Sequence, residues 1–270
     1  MSGIAETFAS LQEAGRKGFI PFVTAGDPDL ETSLAICLKL AELGADIIEL
    51  GVPFSDPMAD GPTIQRSSQR ALENGMTLKD VLRLAKSFRD ASEVPIVLFS
   101  YFNPIMAYGL DRFTTDAQAA GIDGLLLTDV IDVEAATMSQ KLAGHAIDLI
   151  SLVAPTTTDD RLRMICGHAR GFIYAVSRIG VTGAQADVSD AAQMLVDRTR
   201  KFTDLPIAVG FGISTAEQIT DVWRFADAAV VGSAIVAEIE GAKSPNMAIG
   251  AVQEFVSRLL PGFAKAKAEI

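Results

Sequence analysis

At 270 residues, with 49% hydrophobic and 21% charged side chains, the chain has core material for one large barrel or two small domains. Its formal charge of −11 argues against nucleic acid and anionic membrane surfaces, which both select basic faces. A small anionic substrate held by local backbone dipoles stays open. Cys37 and Cys166 fall in helical patterns without CxxC or Cys/His spacing, so structural zinc is not expected and a reducing compartment fits. Residues 1–16 carry no apolar signal-peptide core, and the apolar run 228–237 falls short of the ~20 residues of a bilayer span. The expectation is a soluble cytoplasmic protein.

Residues 4–14 read as an amphipathic helix ahead of a first strand at 19–25. That strand closes on Gly26-Asp27-Pro28, with Asp27 expected as a helix N-cap and Pro28 at the first helical position. The helix runs to Leu43, Gly44 ends it, and a second strand covers 46–50. Helices at 63–73 and 77–91 precede a strand at 95–100, and a helix at 110–120 precedes one at 124–127. A helix at 133–143 leads to a strand at 148–153. The helix at 158–169, with Asp159 and Asp160 suited to its first turn, leads to a strand at 172–177. Helix 191–202 and strand 207–210 follow, then helix 215–225, strand 228–231 and a closing helix at 245–260.

Eight short apolar strands alternating with amphipathic helices predict a parallel sheet, and right-handed crossovers close eight such units into a barrel. The fold expected is a (β/α)8 TIM barrel with an extra N-terminal helix, one domain over residues 1–270. A doubly wound open sheet is the alternative, but the first turn, Ala25-Gly26-Asp27-Pro28, lacks the glycine spacing of a dinucleotide site.

Two loops on the strand-end face are long, 51–62 and 178–190. Glu49 ends the second strand and Asp60 lies in the first of these loops, where barrel enzymes place their chemistry. Two carboxylates delivered there are material for general acid–base work. Glycines at late strand ends, Gly183, Gly212 and Gly232 with Ser233, fit a phosphate cradle of backbone N–H groups, with 234–239 as its short helix. Arg178 reads equally as an anion partner or a solvated loop residue. His145 and His168 fall at helix C-termini, away from the strand-end loops, and no lysine sits at a strand end for Schiff-base chemistry. No metal site is read from the sequence. Phe22, Phe99, Tyr101, Tyr174 and Phe211, at or near strand ends, are candidates to line an apolar, aromatic-sized pocket.

The stretch Glu49-Leu50-Gly51-Val52-Pro53-Phe54-Ser55-Asp56-Pro57-Met58-Ala59-Asp60-Gly61-Pro62-Thr63-Ile64-Gln65 closely resembles the signature of the tryptophan synthase alpha chain family. The likeness extends in order through residues 21–28, 177–183, 210–214 and 232–236. It implies retro-aldol cleavage of indole-3-glycerol phosphate to indole and glyceraldehyde 3-phosphate. It casts Glu49 as the acid/base, Asp60 as its partner at the indole nitrogen, and Tyr174 as an active-site tyrosine. Phe22, Tyr101 and Phe211 then hold the indole, while Gly183, Gly212, Gly232 and Ser233 contact the phosphate. It also implies a tryptophan synthase beta chain carrying pyridoxal phosphate, in an alpha2-beta2 assembly, with no cofactor in this chain.

One departure stands in Thr128-Asp129-Val130-Ile131-Asp132-Val133, where the family usually has a proline soon after the aspartate. A free-standing lyase, a barrel acting mainly as activator of a beta chain, and a sugar-phosphate isomerase of the same barrel type are the competing readings.

Overall fold

In the computed structural model, which describes residues 3–176, 185–210 and 212–260, eight parallel strands close on one another in chain order. They are β1 (Gly18–Thr24), β2 (Ile48–Gly51), β3 (Ile96–Ser100), β4 (Gly124–Leu127), β5 (Asp148–Val153), β6 (Ile173–Val176), β7 (Ile207–Gly210) and β8 (Ala228–Val231). Closure is made by β8 pairing back onto β1, from Gly18 opposite Ala228 to Pro21 opposite Val231. The helices are α1 (Gly3–Glu13), α2 (Leu30–Glu42), α3 (Pro62–Glu73), α4 (Leu78–Arg89), α5 (Phe102–Tyr108), α6 (Leu110–Ala119) and α7 (Asp132–Ala143). They continue with α8 (Asp159–His168), α9 (Gln185–Thr199), α10 (Ala216–Trp223), α11 (Ser233–Gly241) and α12 (Pro245–Leu259).

The period-two alternation of the strands sorts their side chains into two cores. Ile20, Ile47, Val97, Leu126, Ile150, Phe172, Ala208 and Val230 fill the barrel interior. Their neighbours Phe19, Ile48, Leu50, Leu98, Leu125, Leu127 and Val209 face the helices. The inner core continues into α1, whose Ile4, Phe8 and Leu11 join it, with the Phe8 and Phe172 rings 5.7 Å apart. The N-terminal helix is therefore a plug under the barrel, and chemistry is left the opposite end, where the strands finish.

Two expectations need correction, and one stretch with no expected element is helical. Asp27 does not cap α2; Asp29 does, accepting from the Thr32 N–H at 2.8 Å, while the Asp27–Pro28 bond is cis and Asp27 is drawn to Arg70. The segment after β3 forms the helix α5, because Pro104 falls within its first turn, where the missing N–H costs nothing. Helix α9 starts at Gln185 rather than 191, so the loop expected over 178–190 gives up its second half. Alanines 186, 191 and 192 favour helix there, against the turn signal of the intervening Asp and Ser residues.

His168 ends α8 and His145 follows α7, bonded to Gln118 at 3.1 Å, so both lie at the far end from the strand termini. Among the described residues no helix is long and apolar enough to cross a membrane, and no cluster of three His, Cys, Asp or Glu could hold a metal.

Candidate active site

Glu49 follows Ile47 into the barrel, since alternate residues of β2 share a face. It is 1% exposed, and its Oε1 has no hydrogen-bond partner among the described residues. Such an oxygen is costly to leave charged, and burial pushes the carboxyl up to about 8. Near neutral pH Glu49 is thus a carboxylic acid with a proton to give.

The walls around it are aromatic. Pairing of β1 with β2 sets Phe22 opposite Glu49, and Phe22 meets Phe99 of β3 edge to face, with centroids 5.5 Å apart. A Cβ on Gly51 would lie 2.5 Å from the Phe22 ring, so glycine is what lets that ring cross the end of β2. On the far wall, Tyr174 of β6 lies over Gly210, where a Cβ would come within 2.4 Å of its hydroxyl oxygen. Burial, and then the Glu49 charge, raise the Tyr174 phenol further above its ordinary value, so it stays a neutral donor beside the acid. The strand-end glycines at 51 and 210 were not read as ring seats from sequence; a glycine closing a strand whose neighbour carries an aromatic was the available signal.

Asp60 arrives on the loop between β2 and α3. The loop is folded back by an Asp60 N–H to Pro57 carbonyl bond of 3.0 Å and held by Gln65, which donates to the Asp60 carbonyl at 2.9 Å. Tyr101, at the end of β3, braces it: its hydroxyl accepts from the Ala59 N–H at 2.9 Å and hydrogen-bonds the Asp60 carboxyl, while its ring packs on Phe54 at 5.1 Å. Partial burial raises Asp60 to about 6, with the Tyr101 hydrogen bond opposing the rise. Tyr101 itself is pushed up to about 12 by burial and by the Asp60 charge. The two carboxyls thus differ in kind: one neutral at pH 7, the other ionised.

Two turns at neighbouring strand ends are built on glycine. Gly212, just past β7, has φ +78°, a conformation that glycine adopts without strain. Gly232 is the N-cap of α11 and offers no side-chain cap, which leaves the first N–H groups of that helix, and the exposed Ser233 hydroxyl, open to a ligand. Gly210 pairs with Val230, so the two turns sit on neighbouring strand ends. Phe22 spans the two halves of the site: a Cβ on Gly232 would come to 3.4 Å from its own Cβ. Gly183, Arg178 and Phe211 lie outside the described residues.

A closed parallel barrel plugged below, with an acid and a carboxylate at its open rim and bare helix amides alongside, defines an acid–base barrel enzyme for an anionic substrate. The model of the tryptophan synthase alpha chain family matches residues 8–261. Tryptophan synthase alpha chains of Acidiphilium cryptum and Geobacter sp. strain M21 are 48% and 49% identical over 265 residues, covering 96% or more of each chain. The crystal structure of the alpha subunit from Legionella pneumophila superposes with a TM-score of 0.87 at 36% identity, over the whole of both chains. An alpha subunit from Pyrococcus furiosus, solved to explain mutual activation in the tryptophan synthase α2β2 complex, gives 0.85 at 40% identity over 90% of this chain and 98% of its own.

The chain belongs to the tryptophan synthase alpha chain family. Its reaction is the lyase step of that family in tryptophan biosynthesis, cleavage of indole-3-glycerol phosphate to indole and glyceraldehyde 3-phosphate. The isomerase reading is set aside with that result.

Proposed function

We propose that Glu49 and Asp60 carry the cleavage. The Glu49 carboxyl gives its proton to indole C3, which turns the ring into an electron-accepting leaving group. Its carboxylate then takes the proton from the hydroxyl on the adjacent side-chain carbon as the C–C bond breaks and the aldehyde forms. One proton enters and one leaves, so Glu49 ends as it began. Asp60, ionised, accepts the indole N–H and stabilises the positive charge that grows on nitrogen. Phe22, Tyr174 and Phe211 enclose the ring, and Tyr101 contributes its face while holding the Asp60 loop. Gly183, Gly212, Gly232 and Ser233 take the phosphate on backbone N–H groups and one hydroxyl. What supports this most is the Oε1 of Glu49, a buried acid oxygen that no described residue satisfies.

The test is Glu49→Gln. Indole release should fall by at least ~10²-fold, as expected for loss of a general acid–base group, with substrate affinity kept within a few fold. Folding is not at risk. Burial of a neutral Glu49 stabilises the native state fully below its unfolded value of 4.5 and is lost as pH rises to about 8, so glutamine should gain relative stability across that window, by roughly 2–5 kcal/mol. Normal turnover in this variant would remove Glu49 from the mechanism.

We further infer that residues 1–270 work as one barrel unit in the cytoplasm and pass indole to a tryptophan synthase beta chain in an alpha2-beta2 complex. Pyridoxal phosphate belongs to that partner, and this chain uses no cofactor. Support comes from exposed apolar side chains on elements that follow strand ends, Met58 (85% exposed) after β2, Met106 in α5 after β3, and Ile131 and Val133 (79%) after β4.

A further inference from the structure

Helix α3 begins two residues after Asp60, and α11 begins at the proposed phosphate seat. Side chains distant in sequence tie the two helices together. Arg70, in α3, donates from Nε and Nη2 to the two carboxylate oxygens of Asp27, both at 2.8 Å, and from Nη1 to Glu240 Oε1 at 2.8 Å. Arg66, one turn nearer Asp60, donates from Nε to Glu240 Oε1 at 2.6 Å and from Nη2 to Oε2 at 2.8 Å. Glu240, near the end of α11, therefore receives three charge-assisted bonds, and its carboxyl is held down at about 2, chiefly by Arg66.

The same face of α3 is moored below. Ser67 and Thr24, the last residue of β1, share a hydroxyl–hydroxyl hydrogen bond of 2.6 Å. Asp27, 1% exposed, sits in the loop that follows. Exposed ion pairs are worth little one at a time. Here the Arg66 fork closes on Glu240, the Arg70 fork closes on Asp27, and Arg70 Nη1 bridges to Glu240, so direction is fixed as well as distance. The Arg66 guanidinium and the Glu240 carboxylate are engaged with each other across the two helices.

We propose that Arg66, Arg70 and Glu240 are positioning residues that lock α11 to α3, so that phosphate seated at Gly232 and Ser233 holds Asp60 beside the indole nitrogen. The inference rests on the catalytic reading of Asp60. The mechanical logic is short. Phosphate fixes the N-terminus of α11, the helix carries that constraint about 12 Å to Glu240, and α3 returns it to the loop. A reacting group displaced by ~1 Å costs on the order of 10²-fold in rate.

The variant to make is Glu240→Gln, which leaves the Asp27–Arg70 pair intact. It should lower kcat for indole-3-glycerol phosphate about 10- to 100-fold, with KM changed by less than about threefold. Amide hydrogen exchange supplies the second readout. Glycerol 3-phosphate, which fills the phosphate seat without an indole, should slow exchange over residues 56–61 in the parent chain but not in Glu240→Gln. If that variant loses its fold, Arg66→Met, at a half-exposed position, should give the same pair of results. An unchanged kcat, a loss confined to KM, or an exchange response that survives overturns the inference. Asp60→Asn separates the two layers. A fully active Asp60→Asn defeats the catalytic reading, whereas an inactive one beside a normal Glu240→Gln defeats the lock alone.

Discussion

At the scale of single residues, the two acids are separated by what surrounds them. Glu49 is enclosed on a strand with no partner for Oε1 among the described residues, and burial raises it to about 8. Asp60 sits on a partly open loop where burial is opposed by the Tyr101 hydroxyl, and it stays near 6. In the proposed mechanism the productive state has Glu49 protonated and Asp60 ionised. A plot of kcat/KM against pH should therefore be a bell, rising through about 6 as Asp60 loses its proton and falling through about 8 as Glu49 does. Asp60→Asn should abolish the acid limb of whatever activity remains; an acid limb that persists unchanged would assign it to another group. Sequence could locate both carboxyls, because a Glu closing an apolar strand is an anomaly. It could not set their charge states, which depend on walls supplied by β1, β3 and β6.

Among the elements, the strands were the most legible, because each is a short apolar run between turn residues. Strands β4, β5, β7 and β8 fall at the residues expected from pattern alone. Helix starts were harder. Asp27 carried every local mark of a cap, yet an arginine 43 positions away claims its carboxylate. No window of sequence contains that arginine's geometry, and the same holds for Glu240, 170 positions from Arg70. The N-terminal helix was visible as amphipathic, but its duty as a plug was not, since its partners come from all around the barrel. Phe8→Ala should cost about 3 kcal/mol in urea denaturation, from the lost aromatic burial against Phe172, with kcat unaffected at the opposite end. A loss below ~1 kcal/mol would mean that α1 is only loosely seated.

For the molecule as a whole, the barrel keeps its stability and its chemistry at opposite ends. Below, α1 and the inner aliphatic layers fill the interior; above, glycines at 51, 210 and 232 clear space for the Phe22 and Tyr174 side chains. The rim beyond them carries the exposed Met58, Ile131 and Val133, and the segment 128–133 lacks the proline its family usually has there. Val133→Asp should weaken association with a beta chain at least about tenfold by titration calorimetry, through a charge placed in an apolar contact, and leave cleavage by the isolated chain as it was. Unaltered affinity would move the docking face elsewhere on the rim.

The proposed chemistry turns on the proton of Glu49, which can be read directly. Carboxyl 13C NMR of glutamate-labelled protein, with the Glu49 signal assigned by its loss in Glu49→Gln, gives the titration of that one group. A midpoint at about 8 is the result this account requires. A carboxyl already ionised below about 5, near the ordinary glutamate value, would contradict it.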